Sequence, residues 1–374
     1  MKPVSFAMFS AEDTRAASPR AGGASLDVLR FLAASFILLF HFGSTAPRDL
    51  PTILPVFSQG WLATDFFLLL SGYILTRAYG QRLLASDMRR SHFFLRRFFR
   101  LWPSHILVLL VFGAFVLSAT MAGFPPQHPE KYGLDAYIYQ AFLVHGWGLV
   151  QMPAWNVPTW TISSLLICYA LFSFYVPLLY NRALPILAVI GVSVLIVAQV
   201  LALRFAHHAF VDLPFAWGLL RAIPLFILGN LIERMTADLR VNRSVFWCSL
   251  MAIFAAIAGL TLLPRLMVTD GVILLLLAAV LAISGAVSFQ ETAATKRMGR
   301  ASWSLFLTHS LVGAIWFGLT PKLVMHYGLS WPAQWCLWGL GVAIALTTAF
   351  AFDVWVDTPL SQRVSKLSFV KGGI

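Results

Sequence analysis

From residue 26 onward the chain is a succession of apolar runs, each close to the roughly 20 residues that a helix needs to cross a bilayer. Ten runs stand out, near 26–43, 60–79, 102–122, 158–180, 184–204, 213–232, 244–263, 268–288, 302–320 and 332–356. Polar residues fall between the runs, not at alternate positions within them. The ten-residue alternation of a membrane barrel is missing, and an open sheet edge is untenable in lipid. The pattern predicts an all-α fold: a polytopic transmembrane bundle of about ten spans, one domain over 25–360. Residues 1–24 carry Ser, Ala, Gly, Pro and scattered charge without the apolar core of a signal peptide. They read as a mobile cytoplasmic tail, and 361–374 as a second one.

Composition sharpens this picture. The 374 residues are 59% hydrophobic and only 11% charged, with a mean hydropathy of +0.79. A soluble domain is about a quarter charged. A chain this poor in charge cannot cover a water-facing surface, which excludes an ordinary soluble enzyme, a disordered chain, a collagen and a disulfide scaffold.

There are 27 Lys and Arg against 15 Asp and Glu. On a soluble surface that balance would point to nucleic acid. Here 21 of the 27 basic residues fall on one side if the amino terminus is cytoplasmic and the runs alternate. Five fall on the other side, and Arg221 lies inside the sixth run. Positive charge marks the cytoplasmic side, so both termini are expected there and the partner is membrane lipid, not nucleic acid. Cys168, Cys248 and Cys336 sit in apolar runs without paired or ligand spacing and read as buried, inert thiols. His207-His208 lacks a third ligand nearby, so no metal is expected. Nucleotide-binding glycine loops, H-E-x-x-H and G-x-S-x-G are all missing.

Ionisable residues inside the runs carry the chemistry. A charge at the bilayer centre costs about 2.5–3.5 kcal/mol on insertion scales, so one that persists there is usually functional or internally paired. Run 1 places Arg30 and His41 eleven residues apart. That is about 1100° of helix, roughly 20° from whole turns and about 16 Å along the axis. Asp27 can share this face, and Ser25 is a plausible helix N-cap. Singly, the two residues also fit a topogenic charge and a satisfied core histidine. Their common face favours function: a guanidinium at the inner surface and, deep in the bundle, an imidazole able to take a proton.

Run 2 carries Asp65 near its outer end and Ser71 near mid-depth. Asp65 fits a partner for a histidine or an acceptor hydroxyl, or an acid favoured by the helix dipole. Ser71-Gly72 also fits close helix packing. Arg97 and Arg100 share a helix face before Pro103, which suits a helix start, and guanidinium forks bind phosphates. The same arginines also fit a plain positive-inside signal. Arg221 near mid-depth and His309 in run 9 fit internal pairs, with Asp353 or Asp357 as partners, or a site. Trp147, Trp155 and Trp160, in and after the long loop 123–157, fit either a headgroup belt or a platform for stacking sugar rings.

An ordered series of segments resembles the acyltransferase 3 family of bacterial membrane acyltransferases, over most of 25–360. LDVLRFLAASFILLFHF matches its Arg, ten residues, His signature with Arg30 and His41. DFFLLLSGYIL matches its acidic and Ser-Gly block at Asp65, Phe67, Ser71 and Gly72, and RFFRLWP its paired-arginine block. PTWTISSLLICYALF, RAIPLFILGN and SWSLFLTHSLV resemble later blocks at Trp160, Arg221 and His309.

The resemblance implies transfer of an acyl group, most often acetyl from acetyl-CoA, to a hydroxyl of a sugar or cell-envelope glycan at the bacterial inner membrane. It implies a catalytic His41 and a donor site of Arg30, Arg97 and Arg100. Many members carry a Glu five residues after the Trp160 position, where this chain has Leu165. Asp65 is therefore a candidate for the acid role, beside His41. Ser71, Trp160, Arg221 and His309 complete the candidate site. Some members append an esterase-like domain; with none expected here, acceptor handling falls to the bundle and its outer loops. The alternative is a transporter or flippase of a lipid-linked glycan, with the buried charges lining its path.

Overall fold

The computed structural model describes residues 23–367 apart from 127 and 265. Nearly all of the expected amino-terminal tail, residues 1–22, and the last seven residues, 368–374, lie outside the described residues. Ten long helices run through it: α1 (Gly23–Gly43), α2 (Trp61–Leu84), α3 (Arg90–Met121), α4 (Trp160–Leu179), α5 (Leu184–Leu201), α6 (Gly218–Thr236), α7 (Arg243–Leu260), α8 (Met267–Ala286), α9 (Ala293–Tyr327) and α10 (Trp331–Phe352). Among the described residues nine helices are both long and apolar enough to cross a membrane. The tenth expected run became α2, whose 24 residues are diluted by Asp65, Arg77 and several hydroxyls. It tolerates them because it is the enclosed helix of the bundle, packed against α1, α4, α6 and α8. The chain is a polytopic helical membrane bundle.

Lipid tails are as apolar as leucine, so close packing and interhelical hydrogen bonds must hold the helices together. The α2–α6 seam uses both. A Cβ on Gly72 would collide with the Phe226 carbonyl, and one on Gly229 with the Leu69 carbonyl, so the two backbones touch where each lacks a side chain. Asn230 Nδ2 donates to the Gly72 carbonyl at 2.7 Å across this contact. Phe93, Phe172 and Phe226 pack in series, the first pair tilted and the second edge-on, as the aromatic centre of the core.

One end of the bundle gathers the basic segments. Ser25 Oγ donates to Ser284 O at 2.6 Å, Arg77 to Gly285 O at 3.2 Å and Val241 N to Ala286 O at 3.3 Å. Four segments of the chain are thereby pinned together at this arginine end. The opposite, loop end holds the 122–159 connection, which folds back onto α3, α4 and α9.

Several local expectations are corrected. Gly23, the first described residue, is already helical, so Ser25 lies inside the helix and bonds across to α8 instead of capping. The helix after the basic run starts at Arg90, not near 102, leaving Pro103 in its interior. Helix α9 likewise starts at Ala293 and contains Pro321. Hydropathy marks only the lipid-crossing part of a helix, and both helices extend past it into polar sequence. Cys168 is buried as expected, but Cys248 and Cys336 face outward.

Candidate active site

Two cavities lie one above the other inside the bundle. The first opens towards the arginine end. It is lined by Arg30 of α1, Arg97 and Arg100 of α3, and Arg300 of α9, with Ser71, Leu165 and Tyr169 further in. The second, of about 170 Å³, lies towards the loop end and is lined by His41, Trp61, Thr64 and Trp160 among others. Thr161 and Phe306 line both. The sequence dictates this stacking. Thr161, Leu165 and Tyr169 recur every four residues and form one stripe of α4, while Arg30 and His41 share a face of α1 three turns apart.

The arginine mouth is an ordered network. Arg100 donates from both terminal nitrogens to Asp357 at 3.0 and 2.9 Å. Asp357 also accepts from Ser104 Oγ at 2.6 Å and from the Trp303 indole at 3.1 Å. Arg300 donates to Asp353 at 3.1 Å, and Arg30 faces Asp27 at 3.4 Å. Arg97 donates to the Tyr79 hydroxyl and lies over the Tyr79 ring. Both aspartates point inward because Asp353–Asp357 is a π turn between α10 and the terminal helix Thr358–Val364. Asp353 and Asp357 therefore serve the mouth and do not pair with Arg221 or His309.

Arg221 instead meets Asp65. Its guanidinium donates to both carboxylate oxygens, at 2.7 and 3.0 Å, and to Val211 O at 3.3 Å. Asp65 and Arg221 are 2% and 7% exposed, so the pair is buried and clasps α2 to α6. Neither lines either cavity. His309 lies beside His41, ring centroids 5.3 Å apart. Its Nδ1–H donates to Leu305 O at 2.9 Å, and its Nε2 has no hydrogen-bond partner among the described residues.

The three tryptophans part company. Trp155 is packed among Tyr132, Tyr137 and Phe112 and donates to Gly133 O at 2.9 Å. Trp147 donates to Ser163 O at 2.9 Å. Only Trp160 of the three reaches the second cavity. The connection that carries Trp147 and Trp155 is riveted by buried polar groups. His105 Nε2–H donates to Gln140 O at 2.8 Å, the Gln140 side chain bonds Ala154 O and Asn156 N, and Asn156 Nδ2 reaches Leu307 O on α9 at 2.8 Å. Thr159 and His145 meet at 3.1 Å.

Of the residues expected from the sequence, the structure thus brings Arg30, Arg97, Arg100 and Ser71 to one cavity, and His41 and Trp160 to the other. It missed Arg300, Trp61, Thr161 and Tyr169. Arg300 was absorbed into the positive-inside count, although its three-residue spacing to Trp303 and Phe306 on α9 was a readable sign. Among the described residues no group of three His, Cys, Asp or Glu could hold a metal.

Two curated proteins are similar to parts of this chain. The chain is 34% identical over 100 residues to "Protein 2 in picA locus" of Rhizobium radiobacter, covering 27% of this chain and 49% of that protein. It is 27% identical over 194 residues to "Acyltransferase MdmB" of Streptomyces mycarofaciens, covering 50% of this chain and 47% of that protein. The matches thus span about half the length of these curated relatives. No solved structure matches the chain. Residues 24–354 match the family profile described as an acyltransferase domain, a span that includes both cavities, and the chain belongs to the acyltransferase 3 family.

Proposed function

We propose that this protein is a membrane-bound O-acyltransferase of the bacterial cytoplasmic membrane. It moves an acyl group, acetyl from acetyl-CoA, onto a sugar hydroxyl of a cell-surface glycan or its lipid-linked precursor. The observation that carries the reading is the pair of stacked cavities meeting at Thr161 and Phe306. A relative that bears the name acyltransferase supports it.

In this reading the arginine end is cytoplasmic. The anionic phosphates of the donor are held at the mouth by Arg30, Arg97, Arg100 and Arg300, whose forks suit phosphate oxygens. The pantetheine arm passes Tyr169, Ser71 and Leu165 and presents its thioester near Thr161 and Phe306. The acceptor hydroxyl enters the other cavity, where His41 accepts its proton as general base. The alkoxide oxygen bonds to the acyl carbon, the carbon–sulfur bond breaks, and the imidazolium returns the proton to the departing thiolate. A positioned base of this kind contributes about 10²–10⁴-fold. Asp65 is assigned to clasping α2 against α6 and not to proton transfer, because both its oxygens already serve Arg221.

The test uses purified protein in lipid nanodiscs with acetyl-CoA and sugar acceptors. Release of free thiol together with a stable ester on the sugar is the expected outcome. Sugar movement across the bilayer with no thiol release would replace this reading by the flippase one.

A further inference from the structure

The two cavities differ in charge. Four arginines line the first. Among the described residues lining the second there is no Lys, Arg, Asp or Glu, and its polar side chains are the His41 imidazole, the Thr64 and Thr161 hydroxyls and the indoles of Trp61 and Trp160. Its volume of about 170 Å³ is slightly more than the ~150 Å³ that accommodates one benzene ring in an engineered protein cavity. It has the size of a single six-membered ring.

Two indoles wall it. Trp61 begins α2, and its Nε1–H donates to Gln59 Oε1 at 2.6 Å, which fixes the ring. Trp160 begins α4 and packs edge-on against Phe215 at 6.3 Å. Both are half-buried, and both line the cavity. Indole faces suit the C–H face of a sugar ring, and hydroxyls at the rim suit its equatorial oxygens.

We infer that this cavity is an acceptor subsite for one uncharged sugar ring, gripped by Trp61 and Trp160. The inference rests on the reading of the His41 side as the acceptor side. A uronate or phosphorylated sugar placed there would surrender its hydration without meeting a cation, and buried unpaired charge is strongly disfavoured. Trp61 is thereby a binding residue for the acceptor, distinct from the arginines that hold the donor.

The experiment compares methyl glycosides of glucose, galactose and a 6-deoxyhexose with methyl glucuronide and galacturonide. Purified protein in nanodiscs is supplied with acetyl-CoA, and thiol release and ester formation are read together. The neutral glycosides are expected to exceed the uronides in kcat/KM by about 10²-fold or more. Trp61→Ala should raise KM for the neutral acceptor at least tenfold with KM for acetyl-CoA unchanged, and Trp61→Phe should restore much of it. Uronides accepted as well as neutral rings would overturn the inference while leaving acyl transfer standing. So would a Trp61→Ala protein whose only change lies in KM for acetyl-CoA. An absence of thiol release and of ester with glycosides of either class would overturn both.

Discussion

Asp65 and Arg221, 156 residues apart in sequence, meet inside the bundle through two charge-assisted hydrogen bonds. Removing one member of such a pair leaves a buried charge without compensation, which costs about 3–5 kcal/mol. Asp65→Asn and Arg221→Met are each expected to lower the melting temperature of the purified protein markedly. The double variant, which buries no net charge, should recover part of the loss. A single Asp65→Asn protein that melts like the parent but has lost turnover would return Asp65 to the proton-transfer machinery.

The arginine mouth carries a second prediction. A hydrogen bond to a charged group is worth about 1.5–3 kcal/mol, so Arg300→Gln should raise KM for acetyl-CoA roughly tenfold or more while KM for the acceptor stays put. Asp353 keeps the Thr358 hydroxyl as a donor in that variant, at 3.1 Å, which limits the structural damage. Kinetics with each substrate varied in turn read the outcome. An equal rise in both constants would speak against a donor-specific mouth.

The 122–159 connection should be sensitive to acid. His145 lies outside the membrane-crossing helices and its imidazole is pushed down to about 3, chiefly because burial penalises the charged form and secondarily because His105 is near. In an undocked loop the same side chain titrates near 6.5. Between those values the undocked loop binds a proton that the docked loop refuses. Docking therefore weakens as pH falls from about 6.5, by roughly 1.4 kcal/mol per unit. Hydrogen exchange in 140–160, corrected for the intrinsic pH dependence, should rise between pH 7 and pH 5, and His145→Gln should flatten the response. A pH-independent loop in the parent protein would contradict this.

Much of this architecture was legible in the sequence because lipid imposes a simple code. Long apolar runs gave the helices, and the basic segments gave one end of the bundle. The common face of Arg30 and His41 followed from helical pitch alone, and each now lines one of the two stacked cavities. Partner choice was illegible. That Arg221 takes Asp65, while Asp353 and Asp357 serve Arg300 and Arg100, depends on which helices are neighbours, and periodicity within one helix is silent on that. The polar beginnings of α3 and α9 were invisible for a related reason, since hydropathy reports solvent and not backbone hydrogen bonding. Trp61 escaped notice because an aromatic residue at a helix end looks like an ordinary interface anchor.

In the proposed mechanism the His41 imidazole, on the wall of the second cavity, performs the proton transfer. Its most direct test is single-turnover acyl transfer by purified His41→Ala protein loaded with acetyl-CoA and a sugar acceptor. The expected result is a fall of about 10²–10⁴-fold in the chemical step, with membrane level, melting temperature and acetyl-CoA affinity all close to those of the parent. A His41→Ala protein that acylates its acceptor at the parental rate would contradict it.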